Sequence, residues 1–535
     1  MDKMGKQITE WPITPEPISY PDFEAMWSRI EQDKLEVASP TRLPRKRRAM
    51  VVLATAIVVL TATPVLAAVS NQWDLPFRPG VERALTKGYG QTIEQSAQDQ
   101  GLTLSLHHAI ADDNRTILLF SLETGEEQAG MWGIPDLQLI DQAGNVIEGH
   151  HSLTWDEELR RYNGYFETSW TLSGKKGQVQ LVATSINKLT TKAIPIAVRP
   201  FSEEGQQFDI QEDGIDKLEL RSANSGKEEI KLFTSIWLDE DATDSVEFPR
   251  VVVKQGEQVI RPSRTGAYGK PSEQSEWTAT ETYKQADVLK SDSQYELQYT
   301  QTEKQYSGNW TISPIELDKQ KMLSGTFKRK LDIPFETSLG TNTIKKLIVS
   351  PTQVRVEVDS PSYEISFKEV ELLVGSHRLK GGIWESDRDR TVYRFERPID
   401  VEITEQDPLS LEWTYETTMH KDYKSPIHLA NISEQPQHLM TTIGGYEVNW
   451  TYYMQDGDLY MESESEDPHF GGVNQTYVMQ KNDRIPSRPL TVNFTGDGDN
   501  KLVEVQRGFK GNEADVYLYH YYVDHPDRQL NVNLQ

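Results

Sequence analysis

No cysteine occurs in the 535 residues. Disulfides, thiolate metal sites and cysteine nucleophiles are therefore excluded. No Gly-x-Ser-x-Gly elbow, His-Glu-x-x-His helix or phosphate-binding Walker loop is present either, so the commonest hydrolase and nucleotide chemistries have no foothold. Basic residues are in deficit, 56 against 82 acidic, for a formal charge of −26. The deficit is uneven. Residues 1–49 hold 9 basic and 8 acidic groups, residues 50–69 hold none, and the remainder holds 47 against 74. A surface this acidic repels nucleic acid, so no nucleic-acid partner is expected.

The stretch without charge, Met50–Val69, reads MVVLATAIVVLTATPVLAAV, with sixteen apolar residues in twenty. At 1.5 Å rise per residue a helix of that length reaches about 30 Å, the thickness of a bilayer's hydrocarbon core. Arg45, Lys46, Arg47 and Arg48 stand directly before it. Under the positive-inside bias they hold the N-terminus in the cytoplasm and place everything after residue 69 outside. Val65-Leu66-Ala67 resembles a cleavage site, but 49 preceding residues are too many for a signal peptide's n-region, so the span is expected to remain as an anchor.

The expected cytoplasmic head, residues 1–49, begins with an extended proline-bearing segment. A short helix then follows, with Phe23, Met26, Trp27 and Ile30 at i, i+3, i+4 and i+7. Such a stripe cannot bury itself within one isolated helix. Its aromatic and thioether side chains fit the groove of a partner protein, and these four residues are the expected partner-binding set.

Beyond the span the pattern is β-rich. The reading is mainly β, with several Ig-like β-sandwich modules on a single transmembrane helix that follows the short cytoplasmic helix. The expected divisions are 50–69 for the span, 70–200 for a stalk and first β module, 201–320 for a second, 325–415 for a third, and 438–535 for a fourth. Within these, 71–99 reads as stalk with a short helix around Val81–Thr86, 261–293 as a long polar loop and 416–437 as a linker. Leu102–Leu106, the turn Asp112-Asp113-Asn114 and Thr116–Leu122 read as a hairpin. Trp170, Trp310 and Trp450, each followed by Thr, are equally spaced, but their flanks do not align and the spacing reads as coincidence.

Three features together carry a resemblance: the head segment Pro21-Asp22-Phe23-Glu24-Ala25-Met26-Trp27, the basic-flanked span, and the hairpin Gly101-Leu102-Thr103-Leu104…Asp112-Asp113-Asn114-Arg115-Thr116-Ile117-Leu118-Leu119. The chain resembles the membrane-anchored, anti-sigma-factor-like proteins of Gram-positive bacteria, whose first extracellular domain is of unknown function. Ile333–Val370, with Ile348-Val349-Ser350-Pro351-Thr352, is similar to the second ectodomain type that often follows. The likeness covers about residues 20–200 and 325–405. It implies a head that binds an extracytoplasmic-function sigma factor and an ectodomain that senses an envelope signal through an unknown extracellular ligand. The head departs from the zinc-binding anti-sigma pattern, having neither His nor Cys.

Candidate chemistry elsewhere is sparse. His107-His108 and His150-His151 point to opposite faces of any strand that carries them, so neither pair chelates alone. The acidic clusters 239–244, 462–467 and 497–500 offer oxygen ligands of the kind calcium takes, but none has full EF-hand spacing, and solvated turns are the simpler reading. By alternation Tyr517, Tyr519 and Tyr521 share one face, a candidate glycan platform. No cofactor, metal or catalytic residue is expected, and the chain does not read as an enzyme. A single-pass membrane regulator of transcription is the first expectation. A surface protein bound to cell-wall polymer is the alternative.

Overall fold

The computed structural model describes residues 78–535, apart from 127–129, 199–204, 226–228, 240–245, 270–275, 291, 339, 361–366, 388, 422, 456, 481–482 and 490–499. The uncharged run 50–69, its basic flank Arg45–Arg48 and the helix bearing Phe23, Met26, Trp27 and Ile30 lie outside these residues. Among the described residues no helix is long and apolar enough to cross a membrane.

The described chain is mainly β, arranged in several sheets. The expected hairpin forms, pairing Leu102–Ala111 with Thr116–Glu123. Before it, Gln100 and Gly101 both adopt positive φ in a two-residue turn, the geometry whose twist matches a hairpin. The segment read as stalk holds the expected short helix, at Pro79–Thr86, but its end, Gln91–Asp99, is the first strand of this sheet, pairing with Leu102–Ala111. Its alternating half-buried and exposed residues gave too weak an apolar signal to declare a strand.

Two sheets enclose the first core. One runs in the order Gln91–Asp99, Leu102–Ala111, Thr116–Glu123, Arg161–Thr168, His150–Asp156. The other contains Gln138–Asp141 and parts of two very long strands, Lys176–Ile196 and Ser293–Asp318. Leu104, Phe120, Leu181 and Trp310 meet between them. The far ends of the same long strands, with Val246–Gln255, cover a second core under the sheet Gln206–Glu212, Ile215–Ser225, Glu229–Leu238, Glu276–Lys284, Arg264–Gly269. The chain thus leaves the first core, builds the second, and returns.

The second half repeats this plan. Phe327–Thr337, Gly340–Val349, Gln353–Asp359, Arg390–Glu396 and His377–Asp387 occupy the same order as the first sheet and cover a third core that includes Phe335, Val356, Phe395 and Trp413. Leu409–His420 and Glu513–Asn533 are the long strands that leave and return. Between them sits a fourth core, under the sheet Gln437–Ile443, Tyr446–Gln455, Asp458–Glu464, Leu502–Gln506, Arg488–Pro489. Trp310 lies on a returning strand and Trp450 on the second strand of an inserted sheet, so their spacing does not follow the repeat.

Three further expectations change. The polar stretch 261–293 holds two paired strands, Arg264–Gly269 and Glu276–Lys284, not a free loop. The 416–437 linker is partly strand: Leu409–His420 runs into it and Ile427–Ala430 pairs with Glu513–Asn533. Both were hidden because polar residues dominate them and only isolated side chains, Tyr283, Ile427 and Leu429, enter a core. Finally, the pairing of Phe470–Gln480 with Glu513–Asn533 slips beside Tyr519, where Gln475 faces His520 and Thr476 faces Leu518. This irregularity reverses the alternation, sending Tyr521 into the core while Tyr517 and Tyr519 remain half-exposed.

Candidate functional site

Thr116–Glu123 reads TILLFSLE and is buried on both sides, all but its last residue. Leu118, Phe120 and Leu122 face the first core. Ile117 and Leu119 face outward, where a short helix, Pro79–Thr86, lays Val81, Ala84 and Leu85 over them together with Met322. Pro79 opens this helix at a favoured position. The helix also reaches the second half, and there the molecule concentrates its buried charge.

Two equivalent hairpin turns, one from each half, meet at this joint. In the first, Asp112 N–H donates to Arg115 O (3.0 Å), and Asp112 Oδ1 accepts from Asn114 N–H (2.8 Å) and Arg115 N–H (3.0 Å). In the second, Ser350 N–H donates to Gln353 O (2.9 Å). Across the joint Asn114 Nδ2 donates to Ser350 Oγ and to Gln353 O, each at 3.1 Å, and Thr352 Oγ1 donates to Asp112 Oδ2 (2.6 Å).

Arg115 is the centre. Its side chain is wholly buried, and its guanidinium donates to Glu167 Oε1 (2.9 Å), to Glu396 through both terminal nitrogens (2.7 and 2.8 Å), and to Thr352 Oγ1 (3.0 Å). Burial alone would lower its pKa, but Glu396 and Glu167 outweigh that and raise it. Burial would raise Glu167; the guanidiniums of Arg115, Arg78 and Arg394 outweigh burial and hold it at about 2. Both groups are therefore ionised across the physiological range.

The helix is wired into the same network. Arg78 Nε donates to Glu167 Oε2 (2.8 Å), and Gly80 N–H to Glu396 Oε2 (3.3 Å). Arg83, 2% exposed, donates to Ile399 O (2.7 Å) and Glu402 Oε2 (2.6 Å). Gly80 is obligatory, since a Cβ there would overlap the Thr352 carbonyl and crowd Glu396. Beside the turns, Asp113 takes Lys319 (2.6 Å) and Lys328 (2.8 Å). A second joint links the inserted cores: Arg488 pairs with buried Glu276, and Arg221 lies 4.0 Å over the Tyr460 ring.

The joint can transmit displacement of Arg78 to both halves, because Glu167, Arg115 and Glu396 form one chain of charge-assisted bonds. It offers no nucleophile–base pair. Among the described residues no group of three or more His, Asp or Glu is placed to hold a metal. His107 bonds Ser121 (2.8 Å) and Glu94 (3.3 Å), and His150 packs edge-on against Trp384 (5.7 Å). Of the acidic clusters, 240–244 and 497–499 lie outside the described residues, and Glu462 and Glu464 flank Lys501. The expected partner and topology residues, Phe23, Met26, Trp27, Ile30 and Arg45–Arg48, also fall outside. The sequence marked the turn Asp112–Arg115 and the run Ser350-Pro351-Thr352, but nothing in it singled out Glu167, Glu396 or Arg355.

A family described as "Domain of unknown function (DUF4179)" matches residues 42–124, a span that includes the basic flank, the uncharged run and the first hairpin with Arg115. No curated protein matches. Among solved structures the chain is similar to that of a conserved domain protein from Bacillus anthracis, at 12% identity over 59% of this chain and 93% of that one. The TM-score is 0.17, too low to show a shared fold.

Proposed function

We propose that the chain is a single-pass membrane regulator, anti-sigma-factor-like. Four Ig-like β-sandwich modules stand outside the cell on the helix 50–69, and the head binds a sigma factor through Phe23, Met26, Trp27 and Ile30. The observation that carries the reading is the placement of Pro79–Thr86. Nine residues beyond the uncharged run, this helix is bonded into the joint between the two halves by Arg78, Gly80 and Arg83. A signal that alters the joint is thereby coupled to the segment entering the membrane. The test is co-precipitation of the full chain with the cell's sigma factors, against a Phe23→Ala, Trp27→Ala variant. Equal recovery from both proteins would end the sigma-factor reading.

A surface protein attached to cell-wall polymer is the second reading, favoured by one feature. Tyr477 stacks on Tyr517 (5.3 Å) and lies against Tyr519 (4.8 Å), with Arg484 over Tyr477 (5.1 Å). These half-exposed rings make an aromatic cluster against which a sugar could pack. Loss of wall binding in Tyr517→Ala, Tyr519→Ala, with transcription unchanged on deleting residues 1–41, would favour it.

A further inference from the structure

The joint is not charge-balanced. Among the described residues seven cations, Lys87 and the arginines at 78, 83, 115, 355, 394 and 397, face four carboxylates, Asp112, Glu167, Glu396 and Glu402. The imbalance collects on one face. Arg355 and Arg394 are direct cross-strand partners. Both lie against the indole of Trp384, with their guanidinium carbons 5.4 and 4.1 Å from its centroid. Like charges directly opposed on neighbouring strands are destabilising. Arg355 is only 8% exposed, yet its Nε and Nη2 meet no acceptor, and burial lowers its pKa to about 10. Arg397 is similarly depressed, to about 10, first by burial and then by Arg83. A buried guanidinium with unpaired donors costs free energy that an acceptor would recover. Arg394, 27% exposed, and the half-buried Trp384 form the more accessible edge of this face, beside the buried donors of Arg355.

We propose that Arg355 and Arg394, beside Trp384, form a binding site for a phosphoryl oxyanion, which completes the joint between the two halves. A guanidinium fork matches the paired oxygens of such a group. Its negative charge, one on a diester and nearly two on a terminal phosphate, offsets part of the surplus of cations. Arg78, which shares the Glu167 carboxylate with Arg394, ties the site to the helix Pro79–Thr86. The site does not depend on sigma-factor binding and survives the failure of that reading. Free phosphate, a phosphodiester wall polymer and an anionic lipid headgroup all present this chemistry.

The test uses the full chain in phosphatidylcholine nanodiscs. Hydrogen exchange is followed over 350–356 and 392–397 with inorganic phosphate, with a glycerol-phosphate oligomer, and in phosphatidylglycerol nanodiscs, each against chloride at equal ionic strength. At least tenfold slower exchange in one arm is expected, and the responding arm identifies the source. Arg355→Met should abolish the response. Without the anion this variant should be no less stable than the wild type, because it removes an unpaired buried charge. Arg390→Met, a half-buried arginine on the strand of Arg394 that pairs with Glu385, should respond normally. No protection beyond chloride in any arm would overturn the site, as would an undiminished response or an unfolded joint in Arg355→Met.

Discussion

Replacing Glu167 with Gln keeps the shape of the side chain and removes one charge from the centre of the joint. Arg115, Arg78 and Arg394 all face that carboxylate, whose side chain is wholly buried. A group held at about 2 against an ordinary 4.5 corresponds to about 3 kcal/mol of preference for the ionised state, at roughly 1.4 kcal/mol per tenfold. Breaking a buried ion pair from one side costs about 3–5 kcal/mol. The two estimates agree, and 3 kcal/mol is roughly 100-fold in an opening equilibrium. A chain with four cores will not unfold in one step, so local hydrogen exchange is the suitable assay. Exchange over Val81–Leu85 and Asp112–Ile117 should quicken roughly 100-fold at pH 6 in Glu167→Gln, while the inserted cores are unaffected. The pH dependence carries its own sign. The native pKa lies below the unfolded one, so this stabilisation is present above about pH 5 and lost as pH falls toward 2. The wild-type joint should loosen across that window, and the variant's response should be flatter. Unchanged protection in a folded variant, or parallel pH profiles, would refute the account of Glu167 as the anchor of the arginines.

Gly80→Ala should detach the helix. Alanine gains up to about 1 kcal/mol of helix propensity, but the overlap with the Thr352 carbonyl prevails, and trypsin should cut near Arg83 far faster while the cores stay intact. Glu504 is buried at the fourth core, accepting from Thr476 N–H (3.0 Å) and Oγ1–H (2.6 Å), and burial pushes it up to about 7 despite those bonds. Its native pKa exceeds the unfolded value, so its contribution is full below about pH 4.5 and lost as pH rises through 7. Glu504→Gln should therefore raise the fourth core's thermal stability at pH 8 more than at pH 5, and equal shifts would count against it. Trp413 is fully buried, stacked on Phe335 (5.0 Å) and edge-on to Tyr393 (5.9 Å). Trp413→Ala should cost about 3–5 kcal/mol, measured as loss of exchange protection across the third core.

Local elements were more legible than their connections. The hairpin at Leu102–Glu123 could be read because apolar residues flank a polar turn. The strands Gln91–Asp99 and Glu276–Lys284 could not, since polar residues dominate them and only a few side chains, Ile93, Ala97, Trp277 and Tyr283, reach a core. Interleaving was also hidden. Lys176–Ile196 and Ser293–Asp318 each serve two cores, and a strand that passes from one core to the next leaves no break in its own pattern. At the joint, Asp112–Asn114 reads as a turn on local chemistry alone. Its second role, bonding the equivalent turn more than 230 residues away, is a matter of tertiary placement. Glu167 and Glu396 sit among many other acids, so their burial could not be inferred from composition.

The contrast between cores and joints bears on what the halves can do. Each core is closed by apolar side chains such as Phe120, Leu297, Trp413 and Val516. Opening one exposes that surface at about 25 cal/mol per Å². The joints are held instead by Arg115 with Glu167 and Glu396, and by Arg488 with Glu276. Charges that part into water regain hydration, so a buried ionic contact specifies one geometry more than it resists separation. The halves can therefore change their mutual contact while every core stays closed. Since Arg78 and Gly80 bond the same two glutamates that Arg115 joins, such a change necessarily alters the hold on Pro79–Thr86. The helix would not be coupled in this way if it packed on the first half alone. Its bonds to Glu396 and Glu402, more than 300 residues away, make it a strap across both.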